Sequence, residues 1–342
     1  MDYSTAIDEP RLGVRFIDMD RRSGLGLDRA LRRLGFRIEQ ALVTMVLRRG
    51  LALKDGDPAR YQAFLDGWRA FHLRLEPKMQ VLIEANAVKT NGMKAGLPAP
   101  PSPSEWFAPV KGEAHGAVFY VHGGSFIAER SPRITALVAQ FSAAAGARVF
   151  APSYRLAPEH PCPAAVDDIE AAFTWFAANH PDEPVVALAE SAGAAILLAA
   201  LQRVREAGGP MPEGVVLLSP WVDLSLQSWS VIAASMAGTS PYTMESLALM
   251  AHLYLNGRPA TDPIASPLYG DFDGFPPMLI HASKGDILYD DAVRLADKVR
   301  EAGGDLTVRL WSDETHVWEQ THSAKARQSI QLAAEFIRRR LG

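Results

Sequence analysis

The chain has 342 residues, 48% of them hydrophobic and 22% charged, a globular balance that excludes a disordered, collagen-like or fibrous polymer. Its 35 Lys and Arg against 39 Asp and Glu leave a net charge of −4 with no long run of one sign, so there is no electrostatic footprint for nucleic acid or anionic lipid. The single cysteine, Cys162, excludes an intramolecular disulfide and any zinc site built from several thiolates, and it permits a reducing compartment.

In chain order, Met1 to Pro10 mixes acids with polar residues and lacks the basic start and apolar core of a signal peptide. From Leu31, the apolar positions Leu34, Ile38, Leu42 and Met45 recur at helical steps until Gly50, predicting an amphipathic helix. A second helix is predicted where Asp57 can cap and Pro58 takes the first helical position, with Tyr61, Phe64, Leu65, Trp68, Phe71 and Leu75 on one stripe before Pro77. Roughly the first 90 residues therefore read as helical and strand-poor. Gly96 to Pro109, with Pro98, Pro100, Pro101, Pro103 and Pro109, reads as a linker.

Beyond it, short apolar strands alternate with helices. The strands are expected at 117–121, 147–151, 185–188, 214–218, 277–281 and 306–311, and the helices at 132–145, 164–179, 192–207, 291–302 and 324–340. This alternation predicts an α/β fold, a mostly parallel sheet covered on both faces, with ligands bound at the loops that follow the strands. The stretch from Trp221 to Phe275 is too long for a simple connection. It holds a helical pattern near Met244 to Leu255 and reads as an insertion over that edge. The longest strongly apolar run, Ala192 to Leu201, falls far short of the about 18 residues that span a bilayer, so a soluble, cytoplasmic protein is expected.

Chemistry concentrates at three of these loops. Val185 to Leu188 is an apolar strand, Ala189-Glu190-Ser191-Ala192-Gly193 a turn of small residues, and a long helix follows. A serine at such a junction is pushed outward on a tight corner beside a helix N-terminus, although a lone serine there is more often only a cap. Asp286 follows the strand ending at His281, and His316 follows the strand ending at Trp311. Singly, each would read as a cap or a solvated side chain. Jointly, in the order Ser191, Asp286, His316 after successive strands, they read as nucleophile, orienting carboxylate and base. His122-Gly123-Gly124-Ser125 closes another strand with a glycine pair whose amides can approach an oxyanion. Glu190 is expected to bond to local backbone or the supporting shell, not to act as a base.

These segments, with Tyr154-Arg155-Leu156-Ala157-Pro158-Glu159-His160-Pro161, Ser219-Pro220-Trp221, Ser266-Pro267-Leu268, Asp286-Ile287-Leu288-Tyr289-Asp290-Asp291 and His316-Val317-Trp318, resemble the hormone-sensitive lipase family of α/β-hydrolases, in its bacterial carboxylesterase branch. Glu105-Trp106 and the His-Val-Trp segment resemble the acetyl-hydrolase and monoterpene ε-lactone hydrolase subgroup. The resemblance implies an α/β-hydrolase fold and a serine carboxylesterase for short to medium acyl esters or small lactones. Its catalytic residues would be Ser191, Asp286 and His316, with oxyanion amides from Gly123, Gly124 and Ala192. Ser125, Phe126 and Tyr242 are the candidate substrate-binding residues, and Trp229, Met236 and Met244 would suit an apolar group. It further implies a cap from residues 1 to about 100 and from 221 to 265 over a catalytic domain at 101–342.

Two departures from the family pattern stand out. Ala189 replaces a glycine in the elbow, and Ser125 replaces a third glycine in the oxyanion loop, where its Cβ limits φ.

No metal or organic cofactor is expected, since the histidines form no His-Glu-x-x-His pattern and Asp271 and Asp273 before Gly274 are too few for a calcium loop. Gly24-Leu25-Gly26 is followed by Arg29 and follows no strand, which sets dinucleotide binding aside. A small-molecule ester is the expected partner, with no nucleic acid, no membrane span and a homodimer left open. The competing readings are a non-catalytic ligand-binding member of the fold, disfavoured by the presence of His316, and an amidase or transacylase on the same scaffold.

Overall fold

The computed structural model describes residues 14–19, 58–72, 77–90, 98–321 and 323–342. The expected helix from Leu31 to Gly50, the cap at Asp57, the segment from Met1 to Pro10 and the Gly24-Leu25-Gly26 stretch lie outside the described residues. Among the described residues, nine strands form one sheet: β1 (Val14–Asp18), β2 (Ala87–Thr90), β3 (Ser104–Pro109), β4 (Ala117–Val121), β5 (Arg148–Pro152), β6 (Val185–Glu190), β7 (Gly214–Leu218), β8 (Met278–Ser283) and β9 (Leu306–Trp311). Their order is β1-β9-β8-β7-β6-β4-β5-β3-β2, parallel throughout except where β3 joins β5 and β2 joins β3.

The central strands are apolar on both faces because both faces are covered. Phe119, Val121, Ala187, Ala189, Val215 and Leu217 enter one core. Their neighbours Val118, Tyr120, Val186, Leu188, Val216 and Leu218 enter the other, as the pleat requires. The helices Ala164–Asn179, Ala192–Glu206 and Tyr289–Glu301 contribute to the first core. The helices Pro132–Ala145 and Ala324–Leu341 contribute to the second.

Ser131 caps the helix Pro132–Ala145 by accepting from Ile134 N–H, Pro132 stands at its start, and Gly146 closes it in the left-handed region. The helix Pro58–His72 forms with Leu65 buried and Phe64 half-buried on its apolar stripe.

Two expectations change. The described part of the first 90 residues is mainly helical, as expected, but it also supplies two short strands to the sheet: β1 pairs in parallel with β9 and β2 pairs antiparallel with β3. The proline-rich linker ends in a true strand: within β3, Trp106 and Phe107 are buried, and Phe107 pairs with Val149. Prolines at 98, 100, 101 and 103 precede the ladder and so remove no bond from it.

The region after β7 folds as the helices Trp229–Ala237 and Met244–Leu255, the second with a reciprocal Thr243/Ser246 capping box. Its entry is fastened to the body of the fold by Asp291, which accepts from Val222 N–H at 2.9 Å, Asp223 N–H at 3.0 Å and the Ser228 hydroxyl at 2.9 Å. Burial, with the Asp223 charge nearby, pushes the Asp291 carboxyl up to about 7 despite those donors.

Two outcomes follow from this packing. A Cβ at Gly193 would lie 2.5 Å from the carbonyl oxygens of both Val121 and His122. Gly193→Ala should therefore lower stability by at least about 2 kcal/mol, or abolish folding, in a urea or thermal melt. A carboxyl that titrates near 7 when folded and near 4 when unfolded stabilises fully below about pH 4, and this contribution is lost as pH rises through about 7. Asp291→Asn keeps the acceptor but cannot ionise, so its unfolding free energy should gain on the wild type across that window.

Candidate active site

Ser191 sits between β6 and its following helix with φ 52° and ψ −128°, a backbone conformation that L-residues rarely adopt. The corner is fixed by its neighbours. Ser191 N–H donates to the Leu218 carbonyl at 3.0 Å, and the Ser191 carbonyl accepts from Trp221 N–H at 3.1 Å. Ala189, the departure from glycine in the elbow, is fully buried in the β6 ladder opposite Val121, so the sheet accommodates its methyl.

The three expected side chains meet. His316 Nε2 lies 2.8 Å from Ser191 Oγ, and His316 Nδ1 lies 3.1 Å from both oxygens of Asp286. With Asp286 ionised, the network assigns Nδ1–H as donor to the carboxylate and leaves Nε2 to accept the serine proton.

Burial alone would raise the Asp286 carboxyl. The His316 charge and hydrogen bonds from His316, Ser219 and Leu288 N–H outweigh it and hold the carboxyl below its ordinary value. Burial alone would lower His316, but Asp286, with smaller help from Glu190 and Glu319, carries it above the ordinary histidine value. The Tyr242 ring meets His316 edge to face, 5.6 Å between centroids and 89° between planes.

Two serines hold these loops in place, and neither shows a pattern in the sequence that would assign the role. Ser219, with φ 44°, donates to Asp286 and accepts from Val317 N–H at 3.1 Å. Ser283, at the end of β8, accepts from Gly285 N–H in the aspartate loop at 3.2 Å and from Glu314 N–H in the histidine loop at 2.9 Å. Sequence reasoning also missed Glu319, which is fully buried just beyond His316 and accepts from the Ser329 hydroxyl at 2.6 Å. Burial pushes its carboxyl up to about 8.

The expected oxyanion amides divide. Gly123 N–H donates to Glu190 Oε1 at 2.6 Å and is therefore not free to meet an oxyanion, which corrects that assignment. Of the two roles expected for Glu190, bonding to local backbone or to the supporting shell, it takes the second, through the amide of Gly123 67 residues away. The amides of Gly124, Ser125 and Ala192 have no hydrogen-bond partner among the described residues. Ser125 takes φ 54°, so the residue standing where the family places glycine adopts a left-handed backbone despite its Cβ.

Beside Ser191 lies a cavity of about 230 Å³ whose walls include Ser125, Ile134, Tyr242, Met250, His316 and Val317. Phe126, expected in the pocket, is instead core: its ring stacks on Tyr254 at 4.0 Å and meets Trp221 at 5.3 Å. Trp229, Met236 and Met244 are exposed and do not line the cavity. Among the described residues, no cluster of three or more His, Cys, Asp or Glu has the arrangement to hold a metal, and no helix is long and apolar enough to cross a membrane.

Comparison with known proteins agrees with this geometry. Residues 118–320 match the family described as the alpha/beta hydrolase fold. Over 242 residues the chain is 36% identical to an acetyl-hydrolase of Streptomyces hygroscopicus, covering 70% of this chain and 80% of that relative. An esterase of Acinetobacter venetianus is 29% identical over 223 residues, covering 64% of this chain and 73% of the relative. Among solved structures, an esterase from the bacterial hormone-sensitive lipase family superposes with a TM-score of 0.70 at 29% identity, covering 89% of this chain and 98% of that one. The esterase EstE5, soaked with p-nitrophenyl butyrate, superposes with a TM-score of 0.68 at 29% identity, covering 81% and 98%. With a serine, a histidine and a carboxylate in contact on this scaffold, the chain belongs to the α/β-hydrolase fold family, in its hormone-sensitive lipase branch, and is a carboxylic ester hydrolase.

Proposed function

We propose that the protein hydrolyses short to medium acyl esters or small lactones through an acyl-enzyme on Ser191. The observation that carries this reading is the continuous contact from Ser191 Oγ through the His316 ring to Asp286. Ser191 Oγ attacks the ester carbonyl carbon while His316 Nε2 takes the hydroxyl proton. Asp286 fixes the tautomer and stabilises the imidazolium.

The oxyanion is received by the amides of Gly124, Ser125 and Ala192, each worth about 3 to 4 kcal/mol of barrier in such sites. As the C–O bond breaks, the leaving alkoxide takes the proton from His316. A water then gives its proton to His316 and its oxygen to the acyl carbon, and the proton returns to Ser191 as the acid departs.

The substrate size rests on the cavity. About 230 Å³ is below the roughly 300 to 1,000 Å³ of pockets that enclose drug-sized ligands, and Ile134, Met250 and Val317 give it apolar walls. Tyr242 and Met250 come from the 221–265 insertion, which supports that segment's role as part of a cap, whereas within residues 1 to about 100 β1 and β2 are strands of the catalytic sheet. The single cysteine is compatible with a cytoplasmic location.

An acyl-length series of p-nitrophenyl esters at equal concentration should peak among the short and medium chains and fall at the long ones. A rate that rises through palmitate would overturn the size reading. Ser191→Ala should lose at least about 10⁴-fold in kcat/KM with the fold intact. Because His316 works only when neutral and its pKa is raised, kcat/KM should fall on acidification with a midpoint above 6.5. Asp286→Asn should move that midpoint down and reduce kcat by about 10⁴-fold.

A further inference from the structure

Glu190 precedes the nucleophile, yet the triad mechanism gives it no part. Its side chain is buried between two pieces of the site. On one side Oε1 accepts from Gly123 N–H at 2.6 Å, the short distance of a charge-assisted bond, and from the Tyr120 hydroxyl at 3.4 Å. On the other side it shares the walls of the catalytic cavity with Ser191 and His316. The fit is close enough that a Cβ at Gly123 would strike the Glu190 carboxylate, so the glycine that begins the oxyanion loop is shaped to this side chain.

We infer that Glu190 is a positioning residue with two duties: it anchors the oxyanion loop at Gly123, and it places a second carboxylate beside the His316 imidazolium formed during acyl transfer. The inference rests on the catalytic roles proposed for Ser191 and His316. Without an acceptor at Glu190, Gly123 N–H would be buried and unpaired, and the loop that carries the Gly124 and Ser125 amides would lose its only side-chain tether to the elbow among the described residues.

The charges facing His316 are Asp286, Glu190 and Glu319, and all are carboxyls. Glu319 is held largely protonated at neutral pH by burial. Burial also raises the Glu190 carboxyl, opposed by the Gly123 amide, the His316 charge and the Tyr120 hydroxyl, so Asp286 is the carboxylate bonded to the ring and Glu190 the second carboxyl facing it. Tyr120 and Tyr154, which face Glu190, are pushed well above their ordinary values by burial and stay neutral.

Two substitutions separate the duties. Glu190→Gln keeps an oxygen for Gly123 N–H and removes the charge. It should shift the acid midpoint of kcat/KM for p-nitrophenyl acetate down by at least about half a pH unit, with a smaller loss in KM than in kcat. Glu190→Ala removes both and should cost at least about tenfold more in kcat than Glu190→Gln, while Glu190→Asp recovers part of the loss. Circular dichroism and a thermal melt on each variant identify any that fail to fold, and in that event the pH profile of Glu190→Asp, which should keep the wild-type midpoint, decides.

A Glu190→Gln enzyme with an unchanged midpoint and unchanged kcat, alongside an inactive Ser191→Ala control, would overturn this inference alone. An active Ser191→Ala control would overturn the catalytic roles on which it rests.

Discussion

The site depends on backbone held where L-residues resist being held. Of the seven non-glycine residues with positive φ among the described residues, five are Ser125 and Phe126 in the oxyanion loop, Ser191 at the elbow, Ser219 directly after β7 and Val317 beside His316. Each such residue costs of order 1 to 3 kcal/mol and persists only where its surroundings over-determine it. Here the surroundings are identifiable. The Ser191 corner is clamped by Leu218 and Trp221, Phe126 is locked by ring stacking in the core, and Val317 is tied to the Ser219 hydroxyl. The sheet supplies the rigidity, and the strained residues aim the reacting groups.

What the sequence revealed follows the same division. The strands β4, β7 and β9 and the helices Pro132–Ala145 and Ala164–Asn179 have the expected bounds, because buried apolar runs with proline and glycine at their ends leave few alternatives. The order Ser191, Asp286, His316 was legible because each follows a strand of a parallel sheet, whose loops share one edge. By contrast, β3 was hidden by the prolines before it, and β1 and β2 by the surrounding helical text. Nor could the text show that Gly123 N–H faces Glu190 and not the substrate, or that Phe126 turns into the core. Both depend on which partner lies within 3 to 5 Å across tens of residues of chain. Ser219 and Ser283 carry no spacing rule, since a hydroxyl that bridges two loops is defined only by where those loops end.

The electrostatics of the site are those of buried carboxylates served mainly by donors that carry no full charge. Asp286 is satisfied by an imidazole, a serine and a backbone amide, Asp291 by two amides and a serine, and Glu190 by an amide and a tyrosine. Asp223 differs, with Arg294 and Tyr269 as partners. At Asp286 such donors hold the negative charge without neutralising it, so its field at His316 remains available to the imidazolium that forms in the reaction, whereas burial raises Asp291 and Glu190 despite theirs.

Ser283 gives this arrangement a mechanical property. One oxygen receives an N–H from the loop of the acid and another from the loop of the base. The two loops therefore share a single anchor at the end of β8. A hydroxyl shared in this way ties the placement of the carboxylate to that of the ring, so a change at Ser283 would disturb the acid and the base together.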